Sequence, residues 1–169
     1  MGAESVELVV LDVDGVLTDG TISMDDRGVE RKSYHVRDGT AIKYLMRAGL
    51  RVAIVSGRYS KANIHRAKEL GIRDVLQNAK VKLSAYEKLL AKYNLPDERV
   101  CCVGDDLPDL PILRRAGFAV AVADAAEEVK AAADYVTSAP GGRGAVREVA
   151  EVILRAQDKW GAILQRYTA

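Results

Sequence analysis

Leu8-Val9-Val10-Leu11-Asp12-Val13-Asp14-Gly15-Val16-Leu17-Thr18-Asp19-Gly20 opens with four consecutive apolar residues and turns acidic immediately after them. An apolar run without alternation suits a parallel strand covered on both faces. Asp12 and Asp14 leave that strand as an i, i+2 pair, and Gly15 permits a sharp backbone turn. Two carboxylates so close repel each other unless a positive charge stands between them. A lone D-x-D is also what a solvated turn looks like, so the rest of the chain has to decide its meaning.

Further runs of the same kind follow at Arg51–Val55, Asp74–Leu76, Val100–Val103, Phe118–Val122 and, most weakly, Tyr135–Val136. Between them lie helical patterns. Asp38–Ala48 ends at Gly49, Ser60–Leu70 ends at Gly71, and Val81–Tyr93 places Tyr86, Leu89, Leu90 and Tyr93 at i, i+3, i+4, i+7. Strands and helices in alternation predict an α/β fold with a doubly wound, Rossmann-like parallel sheet. Two segments break the rhythm. Residues 20–36 read as a β-hairpin around Asp25-Asp26-Arg27-Gly28, placed after the first strand where a flap would sit. Ala139–Gly144 reads as a mobile glycine-rich turn leading into one final helix, whose stripe runs from Val146 through Trp160 to Ile163. That stripe is broad enough to serve either the core or a subunit contact.

The 169 residues amount to one domain, read as spanning 1–169, with no room for a separate cap. Lysine and arginine total 25 against 24 acidic residues, a net charge of +1, which removes the basic excess of a dedicated nucleic-acid binder. No apolar run approaches the ~18 residues of a membrane span. The start, Met1 to Val6, lacks the cationic and apolar regions of a signal peptide, and Val6 breaks a myristoylation pattern. Cys101 and Cys102 are neighbours in an apolar run, read as buried strand residues, and a reducing cytoplasm is the expected compartment.

A second acidic group, Gly104-Asp105-Asp106-Leu107-Pro108-Asp109, follows the strand at 100–103. In a doubly wound sheet this strand can neighbour the first, which would bring both acidic groups to one edge. Hard oxygen donors in that number describe a Mg2+ site, and two histidines are too few for a typical zinc site. Ser56-Gly57-Arg58 ends the strand at 51–55 with a hydroxyl, backbone N–H groups and a guanidinium, all phosphate ligands. Lys82 opens a helix where an amine could neutralise a phosphoryl oxygen; spacing alone leaves Lys80 as a competitor.

The ordered set Asp12-x-Asp14, Ser56, Lys82 and Gly104-Asp105-Asp106-x-x-Asp109 resembles the four motifs of the haloacid dehalogenase superfamily of phosphotransferases. More narrowly, DVDGVLTDG, VRDG, SGR, GDDLPDLP and GGRGAVREV resemble the capless 3-deoxy-D-manno-octulosonate (KDO) 8-phosphate phosphatases, over nearly the whole chain. The resemblance implies a Mg2+-dependent phosphatase of lipopolysaccharide precursor synthesis, assembled as a homotetramer. It implies Asp12 as nucleophile and Asp14 as acid and base, with Ser56 and Lys82 on the phosphoryl group. Mg2+ ligands would come from the Asp12 carboxylate, the Asp14 carbonyl and Asp105, with Asp106 and Asp109 orienting from outside the coordination sphere. Ser56 would use both its hydroxyl and its backbone N–H. The substrate would meet Asp14, His35, Val36, Arg37, Asp38, Gly39, Lys43, Arg58, Arg66 and Lys82. The family often carries Asn where this chain has His35. Arg143 is a further candidate, in a neighbouring subunit's site.

Three rival readings share some of these features. Phosphatases for nine-carbon keto-sugar acid 9-phosphates tend to carry Glu in place of Arg58 and depart from VRDG. A non-catalytic assembly domain would not need Asp12, Asp14, Lys82 and Asp105 intact. A signalling receiver domain places its phosphoacceptor after a later strand.

Overall fold

Leu8–Leu11 forms strand β1, buried at every position, in a computed structural model that describes residues 2–168. Met1 and Ala169, part of the 1–169 expectation, lie outside the described residues. The other sheet strands are β4 (Arg51–Val55), β5 (Asp74–Leu76), β6 (Val100–Gly104), β7 (Phe118–Ala121) and β8 (Tyr135–Val136), while β2 (Ser23–Met24) and β3 (Glu30–Arg31) form the hairpin. The six-stranded sheet runs β5-β4-β1-β6-β7-β8, with every pairing parallel. This is the α/β doubly wound architecture read from the alternation. Leu11 pairs with Ile54 on one side and Val103 on the other. The chain therefore leaves β1, β4 and β6 at one edge, where the winding direction reverses and where such sheets bind ligands.

Helices α1 (Val36–Arg47), α2 (Lys61–Leu70), α3 (Lys82–Tyr93), α4 (Leu110–Leu113), α5 (Glu127–Ala132), α6 (Ala145–Ala156) and α7 (Trp160–Thr168) cover the sheet. Ser60 caps α2 by accepting the Ala62 N–H (3.3 Å), and Gly71 ends it in the left-handed region (φ 85°). The short α4 and α5 were not legible as helices, having too few residues to show a period. The hairpin turn is held by Asp25, whose Oδ1 accepts the N–H groups of Arg27 and Val29 (both 2.9 Å). Cys101 and Cys102 are buried and unbridged, as their apolar setting predicts.

Two expectations are corrected. The tail is two helices, not one: Asp158 takes a positive φ of 54°, and the Gln157 amide donates to the carbonyls of Ala3 (3.1 Å) and Val6 (2.8 Å). Bonding to the chain's opposite end thus replaces one turn of helix. The glycine-rich turn is tied down rather than loose. Gly141 N–H donates to Asp124 Oδ1 (2.8 Å), Gly142 N–H to the Val16 carbonyl (2.9 Å), and Gly144 N–H to Asp38 Oδ2 (3.2 Å). A Cβ on Gly141 would sit 1.7 Å from the Gly15 carbonyl oxygen, so the turn lies flush against the loop after β1.

Candidate active site

Lys82 is the first residue of α3 and is buried. Its Nζ lies 2.8 Å from Asp12 Oδ1 and 2.5 Å from Asp109 Oδ1. Lys80 is exposed, so geometry decides between the two lysines. Asp109 reaches this point through the turn after β6, and its Oδ2 accepts the N–H of Asp105 (3.0 Å). Asp106 instead caps the local turn, accepting the Leu107 N–H (2.8 Å). Burial, then repulsion from Asp109, pushes the Asp12 carboxyl up to about 6. Burial, then repulsion from Asp12, pushes Asp105 up to about 8. Burial opposes the Lys82 ammonium, but Asp12 and Asp109 outweigh it and hold its pKa above the usual lysine value.

Donor oxygens of Asp12, Asp105 and Asp109 lie within 4.8 Å of one another. Three carboxylates here face one ammonium, and the upward shifts of Asp12 and Asp105 express that excess of negative charge. A hard divalent cation would relieve it, and the donors are all oxygen, so the residues fit Mg2+. Asp109 already gives Oδ1 to Lys82 and Oδ2 to a backbone N–H, which leaves Asp12 and Asp105 with coordinating capacity. The Asp14 carboxylate stands apart, paired with Lys32 and 3.5 Å from Arg58 Nη1. Gly15 makes the approach of β1 and β6 possible: it has φ 90°, and a Cβ there would lie 1.9 Å from Asp105 Oδ2.

These groups line a cavity of about 310 Å³ together with Ser56, Gly57 and Arg58. Ser56 is buried, but its N–H donates to the Leu76 carbonyl (2.9 Å). The expectation that this N–H binds a phosphoryl group is therefore corrected, because strand pairing between β4 and β5 consumes it. The hydroxyl remains, and among the described residues the Gly57 N–H has no partner.

The residues expected to bind the sugar acid divide into two groups. Arg58 lines the cavity. His35 and Arg37 line a separate depression with Arg143, Arg147 and Arg155, while Val36, Arg37 and Lys43 are exposed on α1. Asp38 is buried, and its carboxylate accepts the N–H groups of Gly144 (3.2 Å) and Arg147 (2.8 Å). It caps α6 and is not among the residues that line the cavity. Gly39 leaves room for Arg66, whose Nη2 would lie 2.2 Å from a Cβ placed there. Arg66 itself pairs with Glu69 (2.9 Å) and stacks over Tyr34 (5.5 Å).

Sequence reading missed Glu30 and Lys32. Both sit on or beside β3, in a charged stretch that reads as an ordinary solvated hairpin. The Lys32 side chain is nevertheless buried between Asp14 and Glu30 (Nζ 2.8 Å from Glu30 Oε1). Asn63 was also missed: it is buried, accepts from the Tyr34 hydroxyl (2.9 Å) and donates to Gln77 (2.8 Å). No local signal marks any of these.

A parallel sheet with an acidic edge and a lysine between two aspartates agrees with the class of haloacid dehalogenase-like hydrolases, whose family model matches residues 71–148. The KDO 8-phosphate phosphatase KdsC of Escherichia coli K12 is 46% identical over 157 residues, covering 93% of this chain and 84% of that protein. The crystal structure of the Moraxella catarrhalis KDO 8-phosphate phosphatase, in complex with magnesium ion, phosphate ion and KDO, superposes with a TM-score of 0.96 at 41% identity, covering 98% of this chain and 95% of that one. The cobalt-bound Haemophilus influenzae enzyme gives a TM-score of 0.90 at 43% identity, covering 93% and 92% of the two chains. The chain belongs to the KDO 8-phosphate phosphatase family. Among the described residues, no helix is long and apolar enough to cross a membrane.

Proposed function

We propose that the chain, as one catalytic domain spanning 1–169, is a Mg2+-dependent phosphatase that converts KDO 8-phosphate to KDO and phosphate. The observation that carries this is Lys82 Nζ at 2.8 Å from Asp12 inside the Asp105–Asp109 acidic group. The ammonium cancels the repulsion an anionic nucleophile would feel from an anionic phosphate. Asp12 attacks phosphorus in line and forms an aspartyl-phosphate. Asp14, two residues on, protonates the departing sugar oxygen and then takes a proton from the water that hydrolyses the intermediate. The Ser56 hydroxyl and the Gly57 N–H orient the phosphoryl oxygens, and Asp109 holds Lys82 in place. Asp12, Asp105 and the Asp14 carbonyl would hold Mg2+, which would supply Lewis-acid stabilisation of charge on the phosphoryl group.

Arg58 recognises the sugar-acid end. His35, Arg37, Lys43 and Arg66 fall outside the cavity lining, so we read them as serving a neighbouring copy's site in a cytoplasmic homotetramer. The exposed apolar hairpin residues Ile22, Met24 and Val29 support that assembly. Phosphate release from KDO 8-phosphate and from a nine-carbon keto-sugar acid 9-phosphate, with and without Mg2+, tests the reading. Preference for the eight-carbon ester and loss of turnover with chelator are expected. Preference for the nine-carbon ester would overturn the substrate, and sedimentation showing a fully active monomer would overturn the assembly.

A further inference from the structure

Lys32 follows β3 on the flap, where a lysine side chain ordinarily extends into water. Here the side chain is 2% exposed. Burying an ammonium is costly unless carboxylates compensate it closely, and two do. Nζ donates to Asp14 Oδ1 and lies 2.8 Å from Glu30 Oε1. Glu30 Oε2 also holds Arg58 Nη2 at 3.3 Å. The two oxygens of Asp14 are thus treated differently. Oδ1 is fixed by Lys32, whereas among the described residues Oδ2 has only the 3.5 Å approach of Arg58 Nη1, and that nitrogen makes no hydrogen bond to them. Asp14 lines the cavity beside Asp12.

We propose that Lys32 is a positioning residue for Asp14: by gripping Oδ1 it turns Oδ2 into the cavity as the oxygen that exchanges the proton. The inference rests on the phosphatase reading above. As the Asp12–phosphorus bond forms and the phosphorus–sugar oxygen bond breaks, the proton on Oδ2 passes to the sugar oxygen, which departs as a hydroxyl. In the second half Oδ2 takes a proton from the attacking water, the phosphorus–Asp12 bond breaks, and inorganic phosphate and the free carboxylate are restored. Glu30 steadies Lys32 from the far side and holds Arg58, so docking the flap arranges both the acid and the substrate-binding arginine.

The test compares kcat/KM for two esters with Mg2+ present, since kcat/KM reports the steps through formation of the aspartyl-phosphate. KDO 8-phosphate releases a sugar hydroxyl and needs the proton; p-nitrophenyl phosphate releases a stabilised phenolate and does not. Lys32→Met is expected to lower kcat/KM about 30–100-fold on the sugar phosphate and no more than about threefold on the aryl ester. Lys32→Arg is expected to recover most of the loss. Equal losses on both esters, or a selective loss that lies in KM with kcat unchanged, would reduce Lys32 to a flap anchor and overturn the proposal, as would no loss on either. Should Lys32→Met not fold, Lys32→Gln is read on the same ratio. Wild-type protein that hydrolyses neither ester would refute the phosphatase reading, and the role of Lys32 with it. A wild type active on both esters with an unselective variant refutes Lys32 alone.

Discussion

At the strand edge, Asp12, Lys82 and Asp109 are almost wholly enclosed, each at 9% exposure or less, and backbone from β1, β6 and α3 fixes them. At the flap, Glu30, Lys32 and Arg58 depend on two-residue strands and on contacts of 3.3 and 3.5 Å around the arginine. The first region is finished within the chain and poised for phosphorus chemistry. The second joins a short hairpin to the strand edge through ion pairs between side chains, and part of the sugar-acid set lies outside it. The two regions are therefore built to different tolerances: one set by sheet register, the other by the pairing of long side chains.

Replacing the nucleophile breaks the rigid half most completely. Asp12→Asn should lower turnover of any phosphate ester by at least about 10⁴-fold, with circular dichroism and melting showing an intact fold. Retained turnover would move the chemistry elsewhere. Gly15→Ala acts on the same half through space: its Cβ would overlap Asp105 Oδ2 and the positive φ would be strained. Mg2+ affinity, measured by calorimetry, should weaken about 10–100-fold, whereas a change confined to the flap should leave it near wild type.

Metal and proton should compete in the rigid half. Folded Asp12 and Asp105 keep protons up to about 6 and about 8, against a reference value of 3.8. The folded chain then binds more protons than the unfolded one from about pH 4 to 8, and metal-free stability falls as pH rises through that window. Mg2+ replaces those protons, so it should raise Tm more at pH 8 than at pH 6; equal increments would contradict the charge crowding. The smallest effect belongs to Asp38→Ala, which frees two N–H groups at the start of α6 and should cost about 1–2 kcal/mol. Thermal melts check this, with p-nitrophenyl phosphate turnover expected to change little at temperatures where the variant stays folded.

What the sequence made legible follows the same division. Apolar runs reported which segments are strands, and the pairing of β1 with β6, which the sequence allowed without fixing, turned two acidic motifs into one group. Lys82 was marked by its place at a helix start, but spacing left Lys80 beside it, and the family resemblance and then burial chose between them. Lys32 was not, because its burial comes from Asp14 and Glu30 approaching across the hairpin, which no local pattern records. Asp38 carried a family expectation of substrate contact, yet its oxygens are used by a helix more than a hundred residues away. The Ser56 N–H was read as available because pairing between β4 and β5 does not show in residue identity. The break at Gln157–Lys159 was hidden for a similar reason: the apolar stripe continues across it.

The seating of Gly141 and Gly142 against the loop after β1 has a consequence for how the protein comes into being. β1 emerges first from the ribosome but is the centre of the sheet, so Asp12 has no neighbour on its β6 side until residue 103 has been made. Its supporting glycines come later still, drawn in by α6 and Asp38. A growing chain therefore carries Asp12 early and encloses it only late, and a folding defect near residue 141 would disturb an aspartate more than a hundred residues before it.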